Sequence, residues 1–218
     1  MDAELNARLA AIGFRLAGAG AGAAAPRRGP AEDIERALLA AASVARSDGR
    51  LLSLLFSWVH VHAERVNVDR LRGLLRAAGG DADARLVTST LAAYALSLGR
   101  HRWKKLIAAP AEPKHLSASA AAASAVELKG AEPWLAAHNI LAARGSLRIR
   151  PADVLSVKEL ARAHRGYRNR LLYGASWRAD IVTAIEEGAG TAAEIRSRVG
   201  CSYEPAHRVR REYLIAVG

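Results

Sequence analysis

The chain contains one cysteine, Cys201, in 218 residues. A single thiol can form neither an intrachain disulfide nor a thiolate metal cluster, and this usage is typical of a reducing compartment. Aromatic residues are also scarce, at 5% of the sequence. Because aromatic and β-branched residues favour strands, whereas alanine is the strongest helix former, this alanine-rich sequence predicts an all-α protein.

Long apolar runs and a secretory signal are also missing. The apolar segment at residues 51–61 is too short to span a bilayer. The N-terminus carries Asp2 and Glu4 in place of a basic cluster ahead of an apolar core. We therefore expect a cytoplasmic protein without a membrane partner.

Motifs of catalysis and of metal or cofactor binding are absent from the sequence. It contains no Gly-x-Ser-x-Gly, no His-Glu-x-x-His and no phosphate-cradling glycine loop. His60 and His62 lie two residues apart, which on a helix points them to different faces, so we interpret them as packed or surface histidines. We predict no enzymatic activity, no cofactor and no metal site.

Positive charge is in excess, with a formal net charge of +11 and a pI of about 10.6. Such a balance favours polyanionic partners, chiefly nucleic acid or an anionic membrane surface. The alternative is the enrichment in alanine, arginine and glycine that high-GC genomes produce whatever the function.

The order of helical patterns suggests three regions. Residues 1–30 predict a short amphipathic helix followed by a flexible Ala/Gly linker, which would leave that helix poorly docked or reserved for a partner. Residues 31–150 predict a helical bundle for dimerisation or partner binding, with one strand at the alternating segment Ser-Leu-Arg-Ile-Arg-Pro, residues 146–151. Residues 151–218 predict a basic helix, capped by Ser156 and running toward Leu172, and then three shorter helices.

Those last three helices have the clearest local signals. Trp177, Ile181 and Ile185 are spaced four apart and form one apolar helical face. Thr191 and Glu194 have the spacing of a capping box, and Gly200 provides the permissive backbone of a sharp turn between helices. Eight residues carry the pattern as a whole: Thr191, Glu194, Ile195, Val199, Gly200, Ser202, Ala206 and Val209.

This pattern resembles the helix-turn-helix core of bacterial transcription regulators, including the winged-helix type, and it covers the end of the chain from Trp177. Few residues follow Tyr213, so we expect either a wingless three-helix unit or one whose wing is not included in this sequence. The resemblance implies double-stranded DNA as the partner and a recognition helix that enters the major groove.

Two sets of residues are candidates for DNA contact. On the third helix, Ala206, Val209 and Tyr213 should pack inward, and arginine on guanine edges is a familiar base contact, so Arg208 is our first choice. The side chains expected to point outward from this helix are Tyr203, Glu204, His207, Arg208 and Arg211. The residues expected to contact phosphates are Arg162, Arg165, Arg168, Arg170 and Arg178. The alternative for both sets is an ordinary solvated helix surface.

A further basic stretch, residues 100–105, could be a second phosphate contact or a helix C-terminus, where cations are favoured. Together these features predict a sequence-specific DNA-binding regulator that reads a palindromic operator as a homodimer. Its small size suggests autoregulation of a toxin–antitoxin or defence operon as one setting. The alternative is a helical protein–protein adaptor or RNA-binding protein with a basic surface.

Overall fold

The computed structural model describes residues 2–16 and 30–217, and within them the chain is predominantly α-helical. No helix in these ranges is both long enough and apolar enough to cross a membrane. Short 3₁₀ helices occupy Ala45–Ser47, Ala63–Arg65, His101–Leu106 and Pro151–Asp153. The α-helices are α1 (Ala3–Ala11), α2 (Ile34–Val44), α3 (Gly49–His62), α4 (Val68–Ala77), α5 (Ala82–Ser97), α6 (Ala120–Lys129), α7 (Pro133–Ala136), α8 (Val157–Ala163), α9 (Arg165–Tyr173), α10 (Trp177–Glu186), α11 (Ala192–Val199) and α12 (Tyr203–Val217).

The first five helices begin at aspartate or asparagine caps. In each, the cap side chain accepts a hydrogen bond from a backbone N–H of the first turn, which would otherwise have no partner. The five capping residues are Asp2, Asp33, Asp48, Asn67 and Asp81. These local hydrogen bonds define where each of the five helices begins.

The larger hydrophobic core is centred on α3, which is buried along most of its length. The indole of Trp58 is fully buried, and its Nε1 donates to the carbonyl of Ile12 at 2.8 Å. Leu9 and Ile12 are also fully buried, so α1 is docked in this core. The expectation of a poorly docked opening helix was wrong. The predicted linker falls mainly on residues 17–29, which lie outside the described residues.

The predicted strand at residues 146–151 was also wrong. Leu147 and Ile149 are half-buried and pack against the larger core without pairing as a strand. The strands in the described residues are β1 (Lys114–His115) and β2 (Ile140–Leu141), which pair in parallel. Two-residue strands are too short to show an alternating pattern, so the sequence offers no signal for them.

The predicted basic helix between Ser156 and Leu172 is two helices. His164 ends α8 and begins α9, with φ −127° and ψ 108°, outside the helical region. Its Nδ1 accepts from the backbone N–H of Tyr167 at 3.0 Å, and its Nε2 donates to the carbonyl of Glu32 at 2.8 Å. Leu160 of α8 and Tyr167 of α9 are fully buried in the larger core, while α10–α12 enclose a separate one.

Candidate nucleic-acid interface

The three C-terminal helices are joined by turns whose hydrogen bonds match their residue types. The Thr191 hydroxyl accepts from the Glu194 N–H, and the Glu194 carboxylate accepts from the Thr191 N–H, both at 3.2 Å. The predicted capping box is therefore confirmed. Gly200 ends α11 in the left-handed conformation, with φ 80° and ψ 20°, and its N–H donates to the carbonyl of Arg196. Only three residues, 200–202, separate α11 from α12.

The core of this unit consists of the residues expected to point inward. Ile181 of α10, Ile195 of α11 and Ala206 of α12 have no exposed surface, and Val209 is almost fully buried. Cys201, in the turn, is packed into the same core. Burial raises the pKa of its thiol, which keeps it protonated near neutral pH.

The outward face of α12 is exposed as predicted. Tyr203, His207 and Arg211 follow one another at four-residue intervals, and Glu204 and Arg208 form the adjacent row. The rings of Tyr203 and His207 are stacked, with centroids 6.0 Å apart and planes 18° apart.

Arg208 is available to bind a ligand. Its Nε lies 3.9 Å from Glu204 Oε1, which is too long for a hydrogen bond, and its side chain is 64% exposed. Because an exposed pair at this distance contributes little, the guanidinium can reach outward at low cost.

Of the five arginines predicted to contact phosphates, four are exposed and one is buried. Arg162, Arg165 and Arg168 are exposed, although Arg165 Nη1 donates to the carbonyl of Glu186 at 3.2 Å. α9 packs mainly on α10, and α10 in turn contacts both α11 and α12. Arg165 and Arg168, on α9, therefore lie beside the three-helix unit, whereas Arg162 lies on α8, which packs on α9.

Arg170 is not a surface residue, and its assignment as a phosphate contact was wrong. Its side chain is 3% exposed and forms ion pairs with Glu35 and Asp180. Nη1 and Nη2 each donate to one Glu35 oxygen at 2.6 Å, while Nε and Nη2 donate to Asp180 Oδ1 at 3.1 and 2.7 Å. These two carboxylates hold the pKa of Arg170 above its ordinary value despite burial. A guanidinium that is enclosed and paired in this way cannot bind DNA.

Arg178 is exposed but already paired, since its Nη1 lies 2.7 Å from Glu212 Oε2. Two arginines of α11, Arg196 and Arg198, are exposed and were not among the predicted contacts. Their position on α11, the helix that precedes α12, was the signal that could have identified them. Residues 177–218 contain six arginines and six acidic residues, so the net positive charge of the chain lies upstream of this unit.

Most of the basic stretch at residues 100–105 is engaged within the fold. Arg100 pairs with Glu64, and Lys105 Nζ lies 2.7 Å from Asp69 Oδ1. Arg102 lies 3.5 Å from the same Asp69 carboxylate and donates to the carbonyl of Ala175 at 2.9 Å. The stretch thus contributes to attaching the segment that precedes α10.

Buried and partly buried hydrogen bonds fix α10 to the bundle at both ends. Near its start, Asp180 accepts from the Asn67 side chain at 2.7 Å as well as from Arg170. Just after its last residue, Glu187 Oε1 accepts from the backbone N–H of Ala31 at 2.7 Å. Since α12 packs on α10, the orientation of α12 relative to the bundle is set by these contacts.

Within residues 2–16 and 30–217, no three histidine, cysteine, aspartate or glutamate side chains cluster as a metal site would require. Comparison of the chain with protein-family models, curated proteins and solved structures gave no match. What the protein binds must therefore be inferred from its own residues.

Proposed function

We propose that the protein is a non-enzymatic, sequence-specific double-stranded DNA-binding protein that acts as a bacterial transcription regulator. The observation that carries the proposal is the exposed face of α12, which bears Tyr203, His207 and Arg208. The opposite face of α12 packs into the core that it shares with α10 and α11. The short glycine turn before α12 is typical of helices that enter the major groove.

In this proposal, α12 lies in the major groove and Arg208 donates two hydrogen bonds to a guanine edge. The neighbouring Glu204 is suited to accept from a cytosine amino group. Because the helix before a recognition helix crosses the DNA backbone, Arg196 and Arg198 of α11 would contact phosphates. Arg162 and Arg168 would extend that contact along the duplex.

We propose a homodimer, because one short recognition helix reads only a few base pairs. Two copies related by a twofold axis would read half-sites about 34 Å apart, one turn of the double helix. The operator would then be palindromic.

The test begins by selecting bound duplexes from a random library with the full chain. Fluorescence anisotropy then compares the selected duplex with a scrambled one over a range of salt concentrations. R208A should lose about 1–3 kcal/mol of preference for the selected sequence while keeping salt-sensitive, non-specific binding. R168A should weaken binding to both duplexes and reduce the salt slope by about one.

R148A is the matched control, since Arg148 is exposed on a loop far in sequence from α12. It should leave both affinities unchanged. The proposal fails if the wild-type chain binds no duplex at about 50–100 mM salt, where phosphate contacts are strong. It also fails if R208A weakens binding to both duplexes equally.

A second candidate, a protein–protein adaptor, is favoured by the end of α12. Leu214, Ile215 and Val217 are 47%, 74% and 63% exposed, which is unusual for adjacent large apolar side chains. The charge balance of residues 177–218 also suits a protein partner better than a polyanion. A folded chain that binds no duplex would favour this candidate, whereas equal affinity for duplex and a structured RNA of the same length would favour RNA binding.

A further inference from the structure

A cleft with a volume of about 290 Å³ opens between α4, the start of α5, and the end of the 3₁₀ helix at His101–Leu106 together with the two residues after it. It lies on the bundle, outside the three C-terminal helices. Its rim and floor differ in chemistry. The rim carries four cationic side chains, Arg72, Arg76, Arg85 and Lys105.

Two of the rim cations, Arg72 and Arg76, have no acidic partner among the residues that the structure describes. No carboxylate is among the described residues that line the cleft. Arg72 and Arg76 are exposed, and neither forms an ion pair with any part of the chain that the structure describes. They lie one helical turn apart, a spacing at which like charges repel. An anion between them would relieve that repulsion and gain charge-assisted hydrogen bonds.

The other two rim cations, Arg85 and Lys105, already have partners of their own. Arg85 donates a long hydrogen bond of 3.4 Å to the carbonyl of Gly79, and its charge also acts on the Asp81 carboxylate. Lys105 is held by Asp69 at the edge of the cleft, and its side chain is 48% exposed. Three arginines with little or no pairing, and one lysine that an acid already neutralises, suit a ligand with several negative charges.

The floor of the cleft is apolar, being formed by Leu75, Leu106 and Ile107. An inorganic anion would leave this surface without contacts. A DNA duplex is too wide to enter a concavity of this size, so its phosphates could reach only the rim. A small ligand with both a phosphate group and a flat apolar ring would contact the floor and the rim together.

We propose that this cleft binds a small phosphorylated ligand of the nucleotide class. Arg72, Arg76 and Arg85 hold the phosphates, and Leu75 and Ile107 contact the ring. The site is separate from the α12 face, so this binding does not depend on the proposed recognition of DNA.

The test is isothermal titration calorimetry of the full chain with ATP, adenosine and inorganic tripolyphosphate, at low ionic strength and with EDTA. ATP should bind saturably at one site per chain. Adenosine lacks the phosphates and tripolyphosphate lacks the ring, so each should bind at least about tenfold more weakly than ATP. A tenfold loss corresponds to losing one charge-assisted hydrogen bond or the ring contact.

The double variant R72E/R76E should weaken ATP binding by at least about tenfold. The control R50E/R148E makes the same change in total charge at two exposed arginines outside the cleft, and it should bind ATP as the wild type does. Because all four positions are exposed, both variants should fold, which circular dichroism checks. R72Q/R76Q, which adds no negative charge, should give an intermediate affinity.

Three results would overturn the proposal. The first is the absence of saturable ATP binding. The second is equal affinity for ATP and tripolyphosphate, because the apolar floor would then have no role. The third is an equal loss in R72E/R76E and R50E/R148E, which would place the binding elsewhere on the basic surface.

Discussion

Replacing Arg170 with methionine should destabilise the protein strongly, although Arg170 is enclosed and contacts no proposed ligand. Arg170 donates five hydrogen bonds, four to the carboxylates of Glu35 and Asp180 and one to the carbonyl of Arg65. Methionine fills a similar volume but leaves both carboxylates without their main partner. Breaking a buried ion pair from one side typically costs about 3–5 kcal/mol, because the remaining charge is desolvated and uncompensated.

Arg70 limits that cost but cannot remove it. Its Nη1 lies 3.9 Å from a carboxylate oxygen of both Glu35 and Asp180, which is beyond hydrogen-bond distance. Arg70 is also engaged by Asp33. We therefore expect the loss in R170M to remain within the range for a broken buried pair.

The loss in R170M should depend on pH with a definite sign. Burial raises the pKa of Glu35, and the Arg170 charge partly offsets this, so the pKa should rise further in the variant. A carboxyl whose pKa is higher in the folded than in the unfolded chain binds more protons when folded. Stability then falls as the pH rises from the ordinary glutamate pKa through the raised one. R170M should thus be closest to the wild type at about pH 5 and furthest from it at about pH 8.

The assay is urea unfolding followed by tryptophan fluorescence and circular dichroism at several pH values. R168M is the matched control, because Arg168 is exposed on the same helix and its replacement should change stability by no more than about 0.5 kcal/mol. E35Q retains the oxygen that accepts from the Asn67 N–H, so adding it to R170M should restore part of the loss, with a coupling of about 1–3 kcal/mol. Equal losses in R170M and R168M, or a loss in R170M that is independent of pH, would refute the reasoning.

Three further predictions concern turns and histidines. G200A should lower the free energy of unfolding by about 1–2 kcal/mol, because a Cβ there meets no atom within 4 Å and the strain comes only from the left-handed backbone. G200N should lower it by less, and equal urea midpoints for the wild type and G200A would contradict this prediction. T191A should cost about 1 kcal/mol by removing the cap of α11, whereas T191S should be near neutral, as measured by thermal unfolding. Burial lowers the pKa of both His62 and His164 to about 4, so stability present above the ordinary histidine pKa should be lost as the pH falls from about 6.5 toward 4. H62Q should make stability depend less on pH in this range, and an unchanged slope of stability against pH would contradict the prediction. The histidine effect has the opposite sign to the one expected for Glu35 in R170M.

The features that the sequence predicts well are those with local causes. Ser156 and Thr191 cap the first turns of α8 and α11 as predicted, and the buried face of α12 follows from the spacing of Ala206 and Val209. The exposed positions of Tyr203, His207 and Arg208 follow from the same period.

Features with distant causes could not be predicted in this way. Arg170 lies in a helix among exposed arginines, and its partner Glu35 is 135 residues away in the chain. The break at His164 depends on the carbonyl of Glu32, 132 residues away, and the break contains neither proline nor glycine. The cationic cleft is similar, because it combines α4, the start of α5 and a segment some thirty residues beyond α4.

The buried charges around Arg170 are better explained by orientation than by stability. An apolar cluster of the same volume would be about as stable, since desolvating two guanidinium groups and the carboxylates around them offsets much of their attraction. Apolar packing, however, tolerates small rotations, whereas the bonds from Arg170 to Glu35 and Asp180 require α2, α9 and α10 to meet in one register. Asn67 adds α4 to the same junction. In the proposed function, α12 packed on α10 would then be presented to a groove at a fixed angle, which a dimer that reads two half-sites at one spacing requires.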